Sequence, residues 1–285
     1  MAEAYVSMFW GNTSAAAFDG LRVLLHSLRR HDRRRPFVLL TVEPVVGPAM
    51  DALQRVHPMR MVRVPTFHSL DKSCLASMPD GVRLSRTFTS FHSFNLTEYA
   101  RVLWLESDQL VLRDLTELWS ALDRPRPTDR TVLKKPRAAA AKTLVGPYTS
   151  CGSGRKSSKF NTGVMLLKPS TKVFDFFQSA LSGGRLGYTC TDGSQTLWNQ
   201  VMHGRVQCVH RTFNCIARED LLGPSPGRHC LQGNTSMPHL AHFAGGVAKP
   251  WTKHTAKESL RRNRSWAYAL WQQTLRSYLE SEART

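Results

Sequence analysis

The sequence predicts an α/β fold, Rossmann-like, with a mostly parallel, doubly wound central sheet. Three observations predict it. Short apolar runs alternate with segments of helical period along residues 4–106, and this alternation is typical of parallel sheets covered by helices. Hydrophobic residues make up 41% of the 285 residues, which is enough for one large core. No run reaches the roughly 18 apolar residues that a transmembrane helix needs.

The elements of the first half follow from the spacing of apolar residues. Runs such as AYVSMFW and FVLLTV predict buried strands, whereas leucines at 21, 24, 25 and 28 share one face of a helix. We expect strands at 4–10, 37–42, 59–64 and 101–106, and helices at 18–29, 48–56 and 85–99. Ligands of doubly wound sheets bind at the carboxyl ends of the strands, so those ends are where a site is expected.

Residues 124–159 break the pattern. They are rich in Pro, Lys, Arg, Gly and Ser and show no steady period, so we expect a long mobile excursion, part helix and part loop. Order resumes with a strand within 159–170, helices at 174–181 and 192–202, a Gly-rich turn at 243–251 and a closing helix at 259–280. Asp192 is a suitable N-cap for the helix that it begins.

The net charge of +18 favours polyanions, membrane surfaces or phosphate-bearing substrates as partners. A solvated basic surface explains the same charge, because the Arg and Lys residues are scattered through the sequence. No nucleic-acid module is recognisable, and aromatic residues are not interleaved with arginines at stacking spacing. Nucleic acid is therefore not an expected partner.

The six cysteines show no CxxC spacing, which argues against a zinc site and predicts mostly reduced thiols. A bridge among the last four cysteines is left open. The N-terminal stretch MAEAYVSMFWGN lacks the basic and long apolar regions of a signal peptide. We therefore expect a cytoplasmic protein, with a secretory lumen as the alternative if an export signal has been trimmed.

Two carboxylates follow the strand predicted at 101–106. Glu106 and Asp108 flank Ser107 in the stretch RVLWLESDQLVL, after which the sequence is apolar again. A buried strand gains nothing from two carboxylates at its end, so a cation is expected there. Carboxylate oxygens suit Mg²⁺ or Mn²⁺, and such an ion could hold a diphosphate. Glu-x-Asp alone is weak support, since surface turns often contain it.

The stretch HFAGGVAKPW offers groups that would complete such a site. His242 could add an imidazole to the metal shell, and Lys249 could meet a phosphate as a point charge. Gly245 and Gly246 would let backbone amides approach that phosphate. A partly buried histidine beside an aromatic residue is also commonly structural.

Taken together, these motifs resemble the glycogenin-like family of retaining nucleotide-sugar glycosyltransferases, glycosyltransferase family 8. The resemblance covers most of residues 4–251. The matching motifs, in the family's order, are ESDQLVL at 106–112, FNTGVM at 160–165 with a following KPS, SQTLWN at 194–199 and HFAGGVAKPW at 242–251. It implies the nucleotide-diphospho-sugar transferase, or A-type glycosyltransferase, fold. We expect one domain over 1–285, with a nucleotide-binding half (1–123), the mobile excursion (124–159), an acceptor and metal half (160–254) and a C-terminal helix (255–285).

The resemblance also implies roles for individual residues. Glu106, Asp108 and His242 would hold Mn²⁺ or Mg²⁺. Asn161, Gln195 and Asp192 would be the catalytic residues close to the donor sugar or the acceptor. The UDP-sugar would be bound by Phe9, Trp10, Gly11, Asn12, Arg86, Ser107, Asp108, Gly245 and Lys249.

The implied reaction is metal-dependent, retaining transfer of a hexose from a UDP-sugar to a hydroxyl group of a glycan or protein. The metal and Lys249 would stabilise the departing UDP. No nucleophile is evident near the motifs, so we expect attack from the leaving-group face, with a UDP oxygen accepting the proton. No tyrosine lies between Phe213 and His242, which favours a separate acceptor over self-glucosylation. A homodimer is compatible with the sequence.

The chain departs from the family pattern at several positions. Glu106 replaces the first Asp of the metal motif, Ser90 replaces a Lys, and Lys142 and Ser194 each replace an Asp. Arg86 could substitute for the missing Lys. The changes could reflect a different donor, such as a galactose or a uronic acid nucleotide. The alternative function is a catalytically weak or inactive UDP-binding protein.

Overall fold

A computed structural model of the chain describes residues 2–11, 16–67, 85–123, 144–147, 160–182, 193–202, 206–217, 237–244, 249–252 and 265–285. Within these ranges the side chains of 144–147, 182, 207, 208 and 211 are not described. No helix in the described ranges is both long and apolar enough to cross a membrane.

The described part of the chain contains strands and α-helices in the alternating order expected of an α/β fold. The strands are β1 (Ala2–Phe9), β2 (Phe37–Thr41), β3 (Arg60–Arg63), β4 (Tyr99–Leu105), β5 (Gln109–Val111), β6 (Leu144–Pro147), β7 (Val164–Leu167), β8 (Val206–Val209), β9 (Cys215–Ile216) and β10 (Leu240–His242). The α-helices are α1 (Ala17–His31), α2 (Pro48–Val56), α3 (Thr116–Trp119), α4 (Thr171–Ser182), α5 (Ser194–Val201) and α6 (Trp266–Glu282). Short 3₁₀ helices lie at Thr87–Asn95, Ala121–Asp123 and Arg211–Phe213.

A seven-stranded sheet forms the centre of the fold, in the order β3-β2-β1-β4-β7-β6-β8. Its neighbouring strands are parallel except that β7 runs antiparallel to β4 and β6. The predicted mostly parallel sheet is thus confirmed. The chain moves from β1 to β2 and β3 on one side and then returns to β4 on the other, so the strand order reverses between β1 and β4. The carboxyl ends of these two strands form the crevice where such sheets bind ligands.

The two faces of the sheet carry separate parts of the core. Tyr5 and Leu103 belong to the cluster under α1 and α2, whereas Val6 and Trp104 belong to the cluster on the opposite face. Successive residues of one strand point to opposite faces, so strands buried on both sides read as continuous apolar runs. A smaller three-stranded sheet, β5-β10-β9, lies beside the central one.

The segment predicted as a helix at 85–99 is largely a 3₁₀ helix, Thr87–Asn95. Phe88, Phe91 and Phe94 are each no more than 2% exposed. They recur every three residues, and a 3₁₀ helix has three residues per turn, so all three can face the core. The spacing was present in the sequence as a signal for this tighter helix.

Two other boundaries differ from the predictions. Strand β6 lies inside the segment predicted as a mobile excursion, between β7 and β8. Its four residues, LVGP, have no period to identify a strand, and the neighbouring strands supply the hydrogen bonds that define it. Helix α6 begins at Trp266, several residues after the predicted start at 259.

A pair of histidines, the partly buried His26 and the buried His57, lies where α1, α2 and α6 meet. His26 Nδ1 and His57 Nε2 share a hydrogen bond of 3.2 Å, and His26 Nε2 lies 3.1 Å from the hydroxyl of Ser277. Burial, then the charges of His26, Arg29 and Arg33, lower the pKa of His57 to about 3. Burial, then the charge of Arg30, also lowers the pKa of His26. These imidazoles are therefore neutral in the folded protein at neutral pH.

This pair predicts a loss of stability in acid. Below pH 6.5 the unfolded chain protonates His57 while the folded chain does not, so the unfolded state binds more protons and gains stability as the pH falls. We expect His57 to lower the free energy of unfolding by roughly 2–3 kcal/mol between pH 7 and pH 4.5. Urea unfolding at both pH values measures it. His57→Gln should reduce this pH dependence, and an unchanged dependence in that variant would contradict the prediction.

Candidate active site

The small sheet brings distant residues together at the end of β4. Glu106 and Asp108 lie in the turn between β4 and β5. Strand β5 pairs with β10 so that Gln109 lies opposite His242. The backbone N–H of Phe243 donates to the carbonyl of Asp108 at 3.0 Å. Strand pairing therefore places the imidazole next to two carboxylates that are far from it in the sequence.

These three side chains converge on one point. His242 Nε2 lies 3.1 Å from Glu106 Oε2 and 3.3 Å from Asp108 Oδ1. One ligand atom from each residue lies within 4.8 Å of the other two. The side chains of His242 and Asp108 are 1% and 7% exposed, whereas that of Glu106 is 31% exposed. The ammonium of Lys249 contacts the other Asp108 oxygen, Oδ2.

The donor set fits a divalent cation. Among the described residues, the buried Asp108 Oδ1 and His242 Nε2 have no well-aligned hydrogen-bond partner, although they lie 3.3 Å apart. Buried polar atoms are rarely left without a partner. Two carboxylates and an imidazole suit Mn²⁺, and the carboxylates also suit Mg²⁺. Glu106, Asp108 and His242 are therefore the residues that could hold an ion here.

The charges of the site also fit a divalent cation. Burial by itself would raise the pKa of Asp108, but the charges of Lys249 and His242 hold it well below its usual value. Burial lowers the pKa of His242, but Asp108 and Glu106 outweigh this and raise it to about 9. Asp108 is thus ionised, and a divalent cation would have to displace the proton on His242.

Close packing holds the predicted metal and phosphate motifs in place. The tip of the Trp251 ring lies so near α1 that a Cβ on Gly20 would meet it at 2.6 Å and the carbonyl of Ser107 at 2.7 Å. Gly20 therefore has no space for a side chain, and its backbone supports both Trp251 and the Glu106–Asp108 turn. Gly20 is the one glycine of α1 and was not among the residues predicted from the sequence.

The residues predicted to bind the nucleotide are distributed unevenly. Phe9 is 4% exposed and packs edge-on against Phe18 within the core. Trp10 and Gly11 follow β1 at the crevice, and Gly11 has a φ of 108° with open space beside it. Arg86 donates to Glu43 at 2.7 Å. The predicted residues Asn12, Asp192 and Gly245 lie outside the described ranges, as do Lys142 and Gly246.

The two predicted catalytic amides, Asn161 and Gln195, are partly buried and are hydrogen-bonded in series with the buried amide of Asn214. Asn161 Nδ2 donates to Gln195 Oε1 at 3.1 Å. Asn214 Nδ2 donates to Asn161 Oδ1 at 2.8 Å, and Asn214 Oδ1 lies 2.8 Å from His242 Nδ1. Asn214 was not among the residues predicted from the sequence. A signal was available, because a lone amide follows Phe213 inside an apolar stretch.

Two of the residues that differ from the family pattern, Ser90 and Ser194, form hydrogen bonds within the protein. Ser90 is 3% exposed, and its hydroxyl accepts from the indole N–H of Trp198 at 3.1 Å. The backbone N–H of Ser194 donates to the hydroxyl of Thr87 at 2.9 Å. Ser90 is therefore part of the core beneath α5, and its side chain is committed there.

Cys215 in β9 is disulfide-bonded. Its partner is not among the residues whose side chains are described. A bridge that involves one of the last four cysteines, which the sequence left open beside the expectation of mostly reduced thiols, is therefore present at Cys215.

Comparisons with known proteins agree with this architecture. The model of glycosyl transferase family 8 matches residues 66–255. Glycogenin-1 of Caenorhabditis elegans is 27% identical over 175 residues, 61% of this chain and 34% of that protein. Glycogenin of Komagataella phaffii is 25% identical over 266 residues, 88% of this chain and 58% of that protein. The chain thus spans about a third to three fifths of the length of these relatives.

The fold is also that of solved glycosyltransferases. An active-site mutant of LgtC superposes with a TM-score of 0.62 at 17% identity, over 96% of this chain and 95% of that one. At this level of identity the likeness concerns the fold, which is the A-type glycosyltransferase fold.

Proposed function

The chain belongs to glycosyl transferase family 8, and from this premise we propose that it is a metal-dependent, retaining hexosyltransferase using a UDP-sugar donor. The acceptor is a hydroxyl group on a separate glycan or protein. One observation carries the proposal: Glu106, Asp108 and His242 converge within 4.8 Å at the crevice between β1 and β4. The metal ligands would come from both the 1–123 half and the 160–254 half.

The residues of the site would have separate roles in binding the metal, the diphosphate and the nucleotide. Asp108 and Glu106 with His242 would hold Mn²⁺ or Mg²⁺, which would supply charge stabilisation to the departing diphosphate. Lys249, which contacts Asp108, would turn to the diphosphate and add a second positive charge. Trp10 and Gly11 at the end of β1, with Ser107, would line the nucleotide pocket together with Asn12, and Gly245 would offer its backbone to the phosphates.

Gln195 is the residue that we propose to contact the sugar. Its side-chain oxygen accepts hydrogen bonds within the protein, so its amide nitrogen would face the donor sugar or the acceptor. Arg86 and Asp192 are proposed to act close to the same sugar. We propose that the acceptor hydroxyl attacks from the leaving-group face and that a UDP oxygen accepts its proton. The proposed assembly is a homodimer.

The choice of sugar is open to a direct test. LgtC, which shares the fold, is a galactosyltransferase, and the glycogenins are the curated relatives. We propose to incubate the protein with Mn²⁺ and, in turn, UDP-glucose, UDP-galactose and UDP-glucuronic acid, and to measure released UDP. We expect slow hydrolysis of one donor that EDTA abolishes. Absence of both release and manganese-dependent UDP binding would rule the proposal out.

The alternative is an inactive UDP-binding protein. It is supported by Ser90, whose hydroxyl is buried against Trp198 at the position where the family has a Lys. Calorimetry separates the two functions, since manganese-dependent UDP binding without release of UDP from any donor would identify the alternative.

The cytoplasm remains our proposed compartment. The disulfide at Cys215 supports the alternative of a secretory lumen, because disulfides persist mainly in oxidising compartments. Alkylation of the native protein before and after reduction, followed by mass spectrometry of the Cys215 peptide, tests whether the bridge that supports the lumenal alternative forms.

A further inference from the structure

The side of His242 that faces away from the carboxylates has a buried partner. Its Nδ1 lies 2.8 Å from Asn214 Oδ1. A carboxamide oxygen can only accept a hydrogen bond, so Nδ1 carries the proton and donates it. In the neutral ring the other nitrogen, Nε2, then has a free lone pair, and it is this atom that lies 3.1 Å from Glu106 and 3.3 Å from Asp108.

The orientation of Asn214 is itself determined by neighbouring groups. Asn214 Nδ2 donates to Asn161 Oδ1 at 2.8 Å, and the backbone N–H of Gly163 donates to the same oxygen at 2.9 Å. A backbone N–H can only donate. Flipping the Asn161 amide would turn its NH₂ towards that N–H, so Oδ1 must stay where it is. Asn214 must then present its NH₂ to Asn161 and its oxygen to His242.

A second backbone N–H determines the orientation of Gln195, the amide at the end of this hydrogen-bonded series that is farthest from His242. The Asn161 NH₂ donates to Gln195 Oε1 at 3.1 Å, and the backbone N–H of Thr162 donates to the same oxygen at 3.2 Å. Asn161 therefore has both ends of its amide engaged inside the protein. For the side chain of Gln195, the oxygen has partners among the described residues.

Burial makes the arrangement strict. Asn214 and His242 are each 1% exposed, so water is not available to replace a lost partner. A buried donor without a partner is costly. The groups come from four parts of the chain, namely the turn before β7, helix α5, the residue before β9 and strand β10.

We propose that Asn214 is a positioning residue of the metal site, which holds His242 as the Nδ1–H tautomer with Nε2 directed at the ion. Asn161 and Gln195 act through Asn214 in the same role. The inference rests on the proposed function, because it assumes that the three converging side chains bind a divalent cation. Groups that orient a metal-bound histidine in this way are important to metal affinity.

The test compares three proteins by titration with Mn²⁺ in the presence of UDP, with the electron paramagnetic resonance signal of free Mn²⁺ as readout. Asn214→Leu removes the acceptor, and we expect metal affinity to fall by about 10- to 100-fold. Asn214→Asp keeps an acceptor for Nδ1–H but sets a carboxylate oxygen against Asn161 Oδ1, so we expect a loss of metal affinity that is clearly smaller than that of Asn214→Leu. If Asn214→Leu does not fold, Asn214→Ala takes its place.

A matched control separates positioning from general loss of stability. Ser27→Ala removes a buried hydroxyl that accepts from the N–H of Val111 at 3.1 Å, in β5 of the same small sheet, and it should keep wild-type metal affinity. Long-range ¹H–¹⁵N spectra of the magnesium–UDP complex report which nitrogen of His242 carries the proton. We expect Nδ1 in the wild type and in Asn214→Asp.

The outcomes distinguish the two proposals. Wild-type affinity in Asn214→Leu, together with lost affinity in His242→Ala, overturns the positioning role and leaves the proposed function standing. Equal losses in Asn214→Leu and Asn214→Asp also overturn it, because an acceptor alone would then not suffice. Absence of manganese binding in the wild type overturns the proposed function and this inference with it.

Discussion

Asp108→Ala is expected to abolish sugar transfer and manganese-dependent UDP binding while the protein stays folded. Asp108 Oδ1 is one of the three converging ligand atoms, and Oδ2 contacts Lys249. Loss of metal assistance removes several kcal/mol of charge stabilisation, which corresponds to a loss of at least roughly 10³-fold in kcat. UDP release from the preferred donor and calorimetry with UDP and Mn²⁺ measure the two effects.

The fold should survive this change because the backbone of Asp108 keeps its contact with Phe243 at 3.0 Å. Asp123→Asn is the matched control, since Asp123 is 60% exposed and pairs with Arg101 at the surface. It should have wild-type activity. Wild-type turnover in Asp108→Ala would show that this carboxylate does not hold the metal.

Gly163→Ala is expected to weaken metal binding by about 10- to 100-fold through displacement of a ligand. A Cβ on Gly163 would lie 2.3 Å from Cε1 and 2.7 Å from Nδ1 of His242. The backbone cannot retreat, because its carbonyl accepts from Glu106 N at 3.1 Å and from Gln109 Nε2 at 2.8 Å. The buried ring would have to move by roughly 1 Å to regain an ordinary contact distance. Titration with Mn²⁺ in the presence of UDP measures the loss.

The neighbouring Val164→Ala serves as the control for Gly163→Ala. Val164 is 1% exposed, so its truncation lowers stability by about 1–2 kcal/mol without pressing on His242. Thermal unfolding of both variants shows the cost to the fold, and only Gly163→Ala should lose metal affinity. If both variants lose affinity in proportion to their lost stability, the close approach of Gly163 to His242 is not the cause.

Much of the site was predictable because its chemistry is carried by short motifs. Glu106 and Asp108 stand out as carboxylates that interrupt an apolar run. Lys249 stands out as the cation of the stretch HFAGGVAKPW. That these residues lie next to His242 could be predicted only from the resemblance to a family, since no local period connects residue 108 with residue 242. Strand pairing between β5 and β10 supplies that connection in the structure.

Other parts of the site could not be predicted in this way. Asn214 carries no sequence motif of its own, and its role depends on the position of His242 Nδ1. Gly163 belonged to a recognised motif, but the reason for a glycine there is the imidazole that packs against it. Ser90 stands in the sequence as the replacement of a family Lys, and only the structure shows that its partner is the buried Trp198.

The α/β alternation and the two carboxylates that follow β4 could be predicted from the sequence alone, because local periodicity and side-chain chemistry act over a few neighbouring residues. The three-dimensional structure was needed to show which nitrogen of His242 faces the carboxylates, which glycines have no space for a side chain and which amides have partners inside the protein. Those properties depend on distances between segments far apart in the chain, and packing sets such distances.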